Sequence, residues 1–86
     1  MNVNHEELVL AVLGSLDGWS ITDSLDTLGH PSTRISITVN FRGYPTIEWN
    51  GVRVPRTRRL TKAVRKLQAM ARQDKLRRMA RDLYQK

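Results

Sequence analysis

A chain of 86 residues with a net charge of +7 and no cysteine has room for one domain, residues 1–86, and excludes disulfide staples, thiolate metal sites and cysteine redox chemistry. A domain this small buries only about 60–65% of its unfolded surface, so the core is expected to be thin. The longest apolar run, Leu8 to Leu13, is far below the ~20 residues that span a bilayer, and Glu6 and Glu7 stand where a signal peptide carries positive charge, so a cytoplasmic protein without a membrane partner is expected.

Residues 1–18 predict the first helix. Asn4 is placed to cap it, and Glu7 three residues on is the reciprocal half of a capping box. Glu6 and Glu7 also favour the positive end of the helix dipole. Leu8, Val9, Leu10, Ala11, Val12, Leu13 and Leu16 leave little polar face, which predicts burial on more than one side, and Gly18 is a natural stop. Residues 19–33 carry no strong period: Trp19, Ile21, Asp23 and Leu25 alternate weakly, while Thr22 to Leu28, closed by Gly29, fits one helical turn. Irregular structure with a short helix is expected there.

Residues 34–55 predict an antiparallel meander of three strands. Ile35, Ile37, Val39 and Phe41 alternate with Ser36, Thr38 and Asn40, the period of a half-buried strand. Gly43 and Pro45 mark a turn, and Thr46–Trp49 follows as the second strand. Asn50-Gly51 supplies the positive φ angles of a type I′ hairpin turn before a third strand with Val52 and Val54, ended by Pro55. The expected inner face is Ile35, Ile37, Val39, Phe41, Ile47, Trp49, Val52 and Val54, and the outer face is Arg34, Ser36, Thr38, Asn40, Arg42, Glu48 and Arg53.

Residues 56–86 predict a long basic helix, rich in good helix formers and free of Gly and Pro. At 1.5 Å per residue it would be about 40–45 Å long, more than the width of a small domain. Leu60, Ala63, Val64, Leu67, Met70 and Ala71 share one face, within about 80° on a helical wheel, and Arg58, Arg59, Lys62, Arg65 and Lys66 oppose it. Beyond residue 75 the apolar side, with Leu76, Met79, Ala80, Leu83 and Tyr84, rotates by about half a revolution. Two arrangements satisfy this inversion. The helix breaks near Arg72-Gln73-Asp74-Lys75 and folds back, or it runs straight and Leu76, Met79, Ala80 and Leu83 meet a second molecule, most simply in a two-fold homodimer. The absence of a helix breaker favours the straight helix. The fold class expected is therefore α+β: N-terminal helix, three-stranded antiparallel meander, long C-terminal helix.

Charge is segregated along this plan. Residues 1–33 hold five acids and no Lys or Arg, whereas residues 34–86 hold all fifteen bases and three acids, a balance of +12. Eleven of the bases are Arg, whose fork matches phosphate bidentately. Arg53, Arg56, Arg58, Arg59, Lys62, Arg65 and Lys66 are the candidate polyanion contacts, assisted by backbone N–H groups at the helix start. No nucleophile elbow, phosphate loop or dinucleotide fingerprint is present, and His5 and His30 have no second ligand at metal-binding spacing. Neither an enzyme, a cofactor nor a metal is expected. The outer sheet face lacks aromatics for base stacking, so backbone contact to duplex nucleic acid is favoured over single-strand stacking.

The order helix, three strands, helix is similar to that of double-stranded RNA-binding domains and of the sheet-plus-helix DNA-binding modules of recombinases, in order alone and without a shared motif. The leading expectation is a small non-enzymatic protein that binds duplex nucleic acid as a dimer. The alternative is an inhibitor or adaptor, in the style of small phage and mobile-element regulators, that grips an acidic surface of a host protein such as a nucleic-acid enzyme.

Overall fold

A computed structural model describes the protein from residue 5 to residue 84. The order is α1 (His5–Leu13), β1 (Ser20–Ile21), β2 (Thr27–His30), β3 (Ile35–Val39), β4 (Pro45–Trp49), β5 (Val52–Val54) and α2 (Arg58–Tyr84). The five strands pair antiparallel in sequence order, so the α+β class holds with a meander of five strands rather than three.

The register explains the core. Ile21 pairs with Leu28, Leu28 with Ile37, Ile37 with Ile47 and Ile47 with Val54, so one apolar row crosses the whole sheet. Both helices pack on that face. Val9 and Leu13 of α1 and Leu60, Val64, Leu67 and Ala71 of α2 join the row in one buried cluster. Each such Leu or Ile contributes roughly 1.5–3 kcal/mol by leaving water. The opposite face carries Ser20, Ser36, Thr38, Glu48 and Arg53, all exposed.

Strands β1 and β2 replace the irregular segment expected at 19–33. Ile21 and Leu28 are the only inward aliphatic side chains they supply, which is too few to print a period of two. Their support comes from α2, far away in sequence: Lys75 Nζ donates to the Ile21 carbonyl (3.2 Å) and to the Asp23 carboxylate (2.6 Å), and Gln68 Nε2 donates to the Leu25 carbonyl (3.0 Å). Within the turn, Ser24, Thr22 and Thr27 all donate hydroxyls to the Asp26 carboxylate.

These contacts have a pH signature. The hydrogen bond and charge of Lys75 hold Asp23 below the usual aspartate range, and the hydroxyls of Ser24, Thr22 and Thr27 do the same for Asp26. A depressed carboxyl contributes stability that is fully present above the unfolded-state pKa of about 3.9 and is lost as pH falls through the lower folded value. Stability is therefore expected to decline below about pH 4, and an Asp23→Asn, Asp26→Asn double variant should show a shallower decline in urea midpoint on that side. An identical acid limb would contradict the assignment.

Helix α1 stops at Leu13, short of the expected residue 18, and Leu8 is partly exposed, so only one side of the helix is buried. Of the expected capping pair, Asn4 lies outside the described residues. Glu7 instead accepts from Arg59 (2.9 Å). Gly18 follows in a turn with φ +81°, where a Cβ would lie 2.5 Å from His30 Nε2. His30 is held there by Ser32, Thr33 and the Asp17 carbonyl, and its ring meets Trp19 at 5.0 Å. Gly18→Ala thus combines a left-handed backbone with a displaced imidazole and should cost about 1–3 kcal/mol, read from urea denaturation. A loss under about 0.5 kcal/mol would show that the turn relaxes freely.

The Asn50-Gly51 turn has φ 54° and 79°, as a type I′ hairpin requires. Two expected inner-face residues are not buried. Val52 points to the inner side opposite Trp49, but on an edge strand beyond the helices, and is 69% exposed. Phe41 is 94% exposed, because β3 ends at Val39 and the alternation does not extend past it. Arg34, Asn40 and Arg42 likewise sit in turns rather than on the outer sheet face.

Helix α2 is continuous through residues 72–75, which settles the inversion in favour of the straight helix. Its 27 residues span about 40 Å and account for a molecule 54 Å long against 27 and 20 Å in the other directions. Thr57 caps its start: the hydroxyl accepts the Leu60 N–H (3.1 Å) and donates to Glu6 (2.9 Å), tying α2 to α1.

Candidate polyanion-binding groove

The segment from β5 into α2 gathers cations because three local rules act together. Arg53 alternates onto the outer sheet face, opposite Glu48. Pro55 ends the strand, and Arg56 and Thr57 lead into the helix. Arg58, Lys62 and Arg65 then recur one turn apart on the side of α2 that faces away from Leu60, Val64 and Leu67.

Arg56, Arg58, Lys62 and Arg65 line one open groove of about 580 Å³ with Tyr44, Thr57 and Thr61. A second concavity shares Tyr44 and Arg56 with it and adds Arg53 and Asn40. Among the described residues, no acidic side chain lines either one. Among the described residues, none of Arg53, Arg56, Arg58, Lys62 and Arg65 makes an ion pair. Their mutual repulsion is not cancelled by a carboxylate in contact, and any multivalent anion in the groove would relieve it.

Tyr44, absent from the sequence-based candidates, organises the centre. It is 45% exposed, and the Arg56 guanidinium stacks 4.7 Å from its ring centroid. Such stacking holds the fork by its face and leaves the N–H edges free for an oxygen ligand. The signal was a tyrosine between Gly43 and Pro45, on a turn whose distance in sequence from Arg56 hid their contact. The start of α2 adds a weak positive potential to the same place.

The seven candidate cations thus divide. Five belong to the groove and its extension. Arg59 is on the adjacent side of α2, engaged by Glu7 at 2.9 Å and near Glu6 at 3.9 Å. Lys66 is exposed but lines neither concavity. The acidic first helix therefore masks one edge of the basic surface and leaves the groove open.

Further along α2, Leu76 and Met79 are each 54% exposed and Leu83 72%, with Ala80 exposed between them. Leu76, Ala80 and Leu83 continue the outward side of the helix beyond the groove, whereas Met79 also borders a concavity shared with residues 16–21. Facing the body instead are Lys75, bound to Asp23, and Arg78, which pairs with Asp74 at 2.9 Å. Of the polar residues on that side, Lys75 ties α2 to Ile21 and Asp23, while Arg78 pairs within the helix itself.

Among the described residues no three His, Asp, Glu or Cys side chains gather as a metal site, and no helix is long and apolar enough to cross a membrane. No known protein family, curated protein or solved structure matches the chain.

Proposed function

We propose that this protein is a non-enzymatic binder of duplex nucleic acid, which holds consecutive phosphates in the groove at the start of α2. One observation carries this reading: five cations free of ion pairs converge on a concave surface that no acid lines. A solvated helix face would spread such charges around a convex surface. Here strand, turn and helix bring them together, and Tyr44 orients one of them. Binding would release condensed counterions from the nucleic acid, giving a strong and salt-dependent interaction with the duplex backbone. The direct test is titration of labelled DNA and RNA duplexes against the protein at low salt. Saturable binding to either supports the reading. Indifference to both would turn attention to an acidic protein surface.

The second part of the proposal is a homodimer through Leu76, Met79, Ala80 and Leu83. About 13 residues of α2, some 20 Å, run past Ala71, the last of its core residues, and carry this stripe into solvent. A second copy of the same helix offers a matching surface under two-fold symmetry and would place two grooves on one ligand. Leu76→Glu with Leu83→Glu should halve the mass measured by light scattering while leaving the urea midpoint nearly unchanged. A monomeric mass for the unaltered protein at high concentration would contradict the dimer.

A further inference from the structure

Phe41 is the most exposed large apolar side chain of the described residues. It stands in the turn between β3 and β4, and that turn is built rather than slack. Asn40 Oδ1 accepts the N–H groups of Arg42 and Tyr44 at 3.0 Å each. The Asn40 N–H donates to the Tyr44 carbonyl (3.0 Å), and the Gly43 N–H donates to the Asn40 carbonyl (2.9 Å). Four hydrogen bonds over five residues fix the support of the ring, so little ordering is left to occur when it meets a partner. The Arg42 guanidinium sits 5.5 Å from the Phe41 centroid and gives the turn tip both an apolar wedge and a cation.

The same turn borders the groove. Asn40 and Tyr44 line the concavity that holds Arg53 and Arg56, and Tyr44 continues into the one that holds Arg58, Lys62 and Arg65. A duplex seated on those cations has its grooves beside the turn. An acidic protein would match the cations but has no systematic use for a Phe held on a rigid turn near them, whereas nucleic acid offers phosphates and stacked apolar bases side by side.

Resting on the nucleic-acid reading above, we propose that Phe41 is the base-contacting wedge of this protein, entering a base step of duplex DNA from the minor groove while Arg42 lies along the adjacent backbone. Apolar side chains inserted in this way unstack the step and bend the duplex away from the protein. B-form DNA suits the wedge because its minor groove is narrow, about 6 Å, whereas that of A-form RNA is wide and shallow. The groove supplies affinity, and the wedge supplies deformation and with it a preference for flexible pyrimidine–purine steps.

The test uses the whole protein and a DNA duplex of about 20–30 base pairs with a donor and acceptor dye at its ends and 2-aminopurine at successive positions. The unaltered protein should shorten the end-to-end distance and raise 2-aminopurine fluorescence at one or two positions. Phe41→Ala keeps its fold, since the ring is exposed, and should bind about 5- to 150-fold more weakly with the same salt dependence and without bending or unstacking. Phe41→Leu, still an apolar wedge, should retain most of the bend. Bending and unstacking by Phe41→Ala equal to the unaltered protein would overturn the proposal and leave the groove reading intact. Failure of the unaltered protein to bind any duplex at low salt would remove the groove reading, and the wedge with it.

Discussion

Replacing Arg56, Arg58, Lys62 and Arg65 together with Glu should abolish duplex binding, with a loss of at least about a hundredfold at 50 mM salt. Four phosphate contacts become four repulsions within one concave surface. The fold should survive. All four side chains are exposed and make no ion pair among the described residues, and Glu is as good a helix former as Arg or Lys. A Glu at 58 even complements the helix dipole, and loss of the stack on Tyr44 removes only about 0.5–1 kcal/mol. Each reversal changes the charge by two, so the four shift the chain from +7 by −8 to −1. Reversing Arg34, Arg72, Arg77 and Arg81 instead makes the same change outside the groove, and should leave binding measurable and only weakened. Equal losses in the two variants would show that net charge, not the groove, attracts the ligand. Binding can be followed by anisotropy of a labelled duplex, with far-UV circular dichroism as the check on folding.

Leu60→Ala should nearly or fully unfold the protein. Leu60 is wholly buried in the core cluster, in the first turn of α2, where its own N–H is the one that Thr57 caps. Truncation removes its transfer free energy and leaves a cavity, together about 2–5 kcal/mol. A chain this long has only some 4–13 kcal/mol in total, so the urea midpoint should fall by a large fraction of its value. Phe41→Ala, at a residue equally apolar in sequence, should change the midpoint by less than about 0.5 kcal/mol. Comparable losses in the two variants would contradict the observed division between core and surface.

What the sequence made legible follows from how local each signal is. The β3 alternation, the Asn50-Gly51 hairpin and the two faces of α2 depend on residues within a few positions of each other, and each appears where the periodicity puts it. Strands β1 and β2 depend on partners elsewhere: from α2, Lys75 satisfies the Ile21 carbonyl of β1 and Gln68 the Leu25 carbonyl in the turn between the strands, and no window of the chain contains both sides. Phe41 departs from the expected inner face for a related reason. Its parity fits β3, but the Asn40 side chain closes a turn before it, and an asparagine's choice of backbone partner is invisible to a period of two. The basic groove was half legible. Arg58, Lys62 and Arg65 follow from helix geometry and Arg56 from its place just before the helix, whereas Tyr44 required the sheet to return its turn to the start of α2. The division of Arg59 from the others also needed the fold, since Glu7 lies 52 residues away.

Salt dependence of duplex affinity is the measurement that decides whether the cationic groove holds nucleic-acid phosphates. With about four or five phosphates neutralised per chain, log affinity should fall linearly with log salt with a slope near −4, losing about 10²–10³ in affinity between 50 and 200 mM. The four-fold reversal in the groove should remove that slope along with the binding. An affinity that is absent at low salt, or that holds constant across this range, would contradict the account.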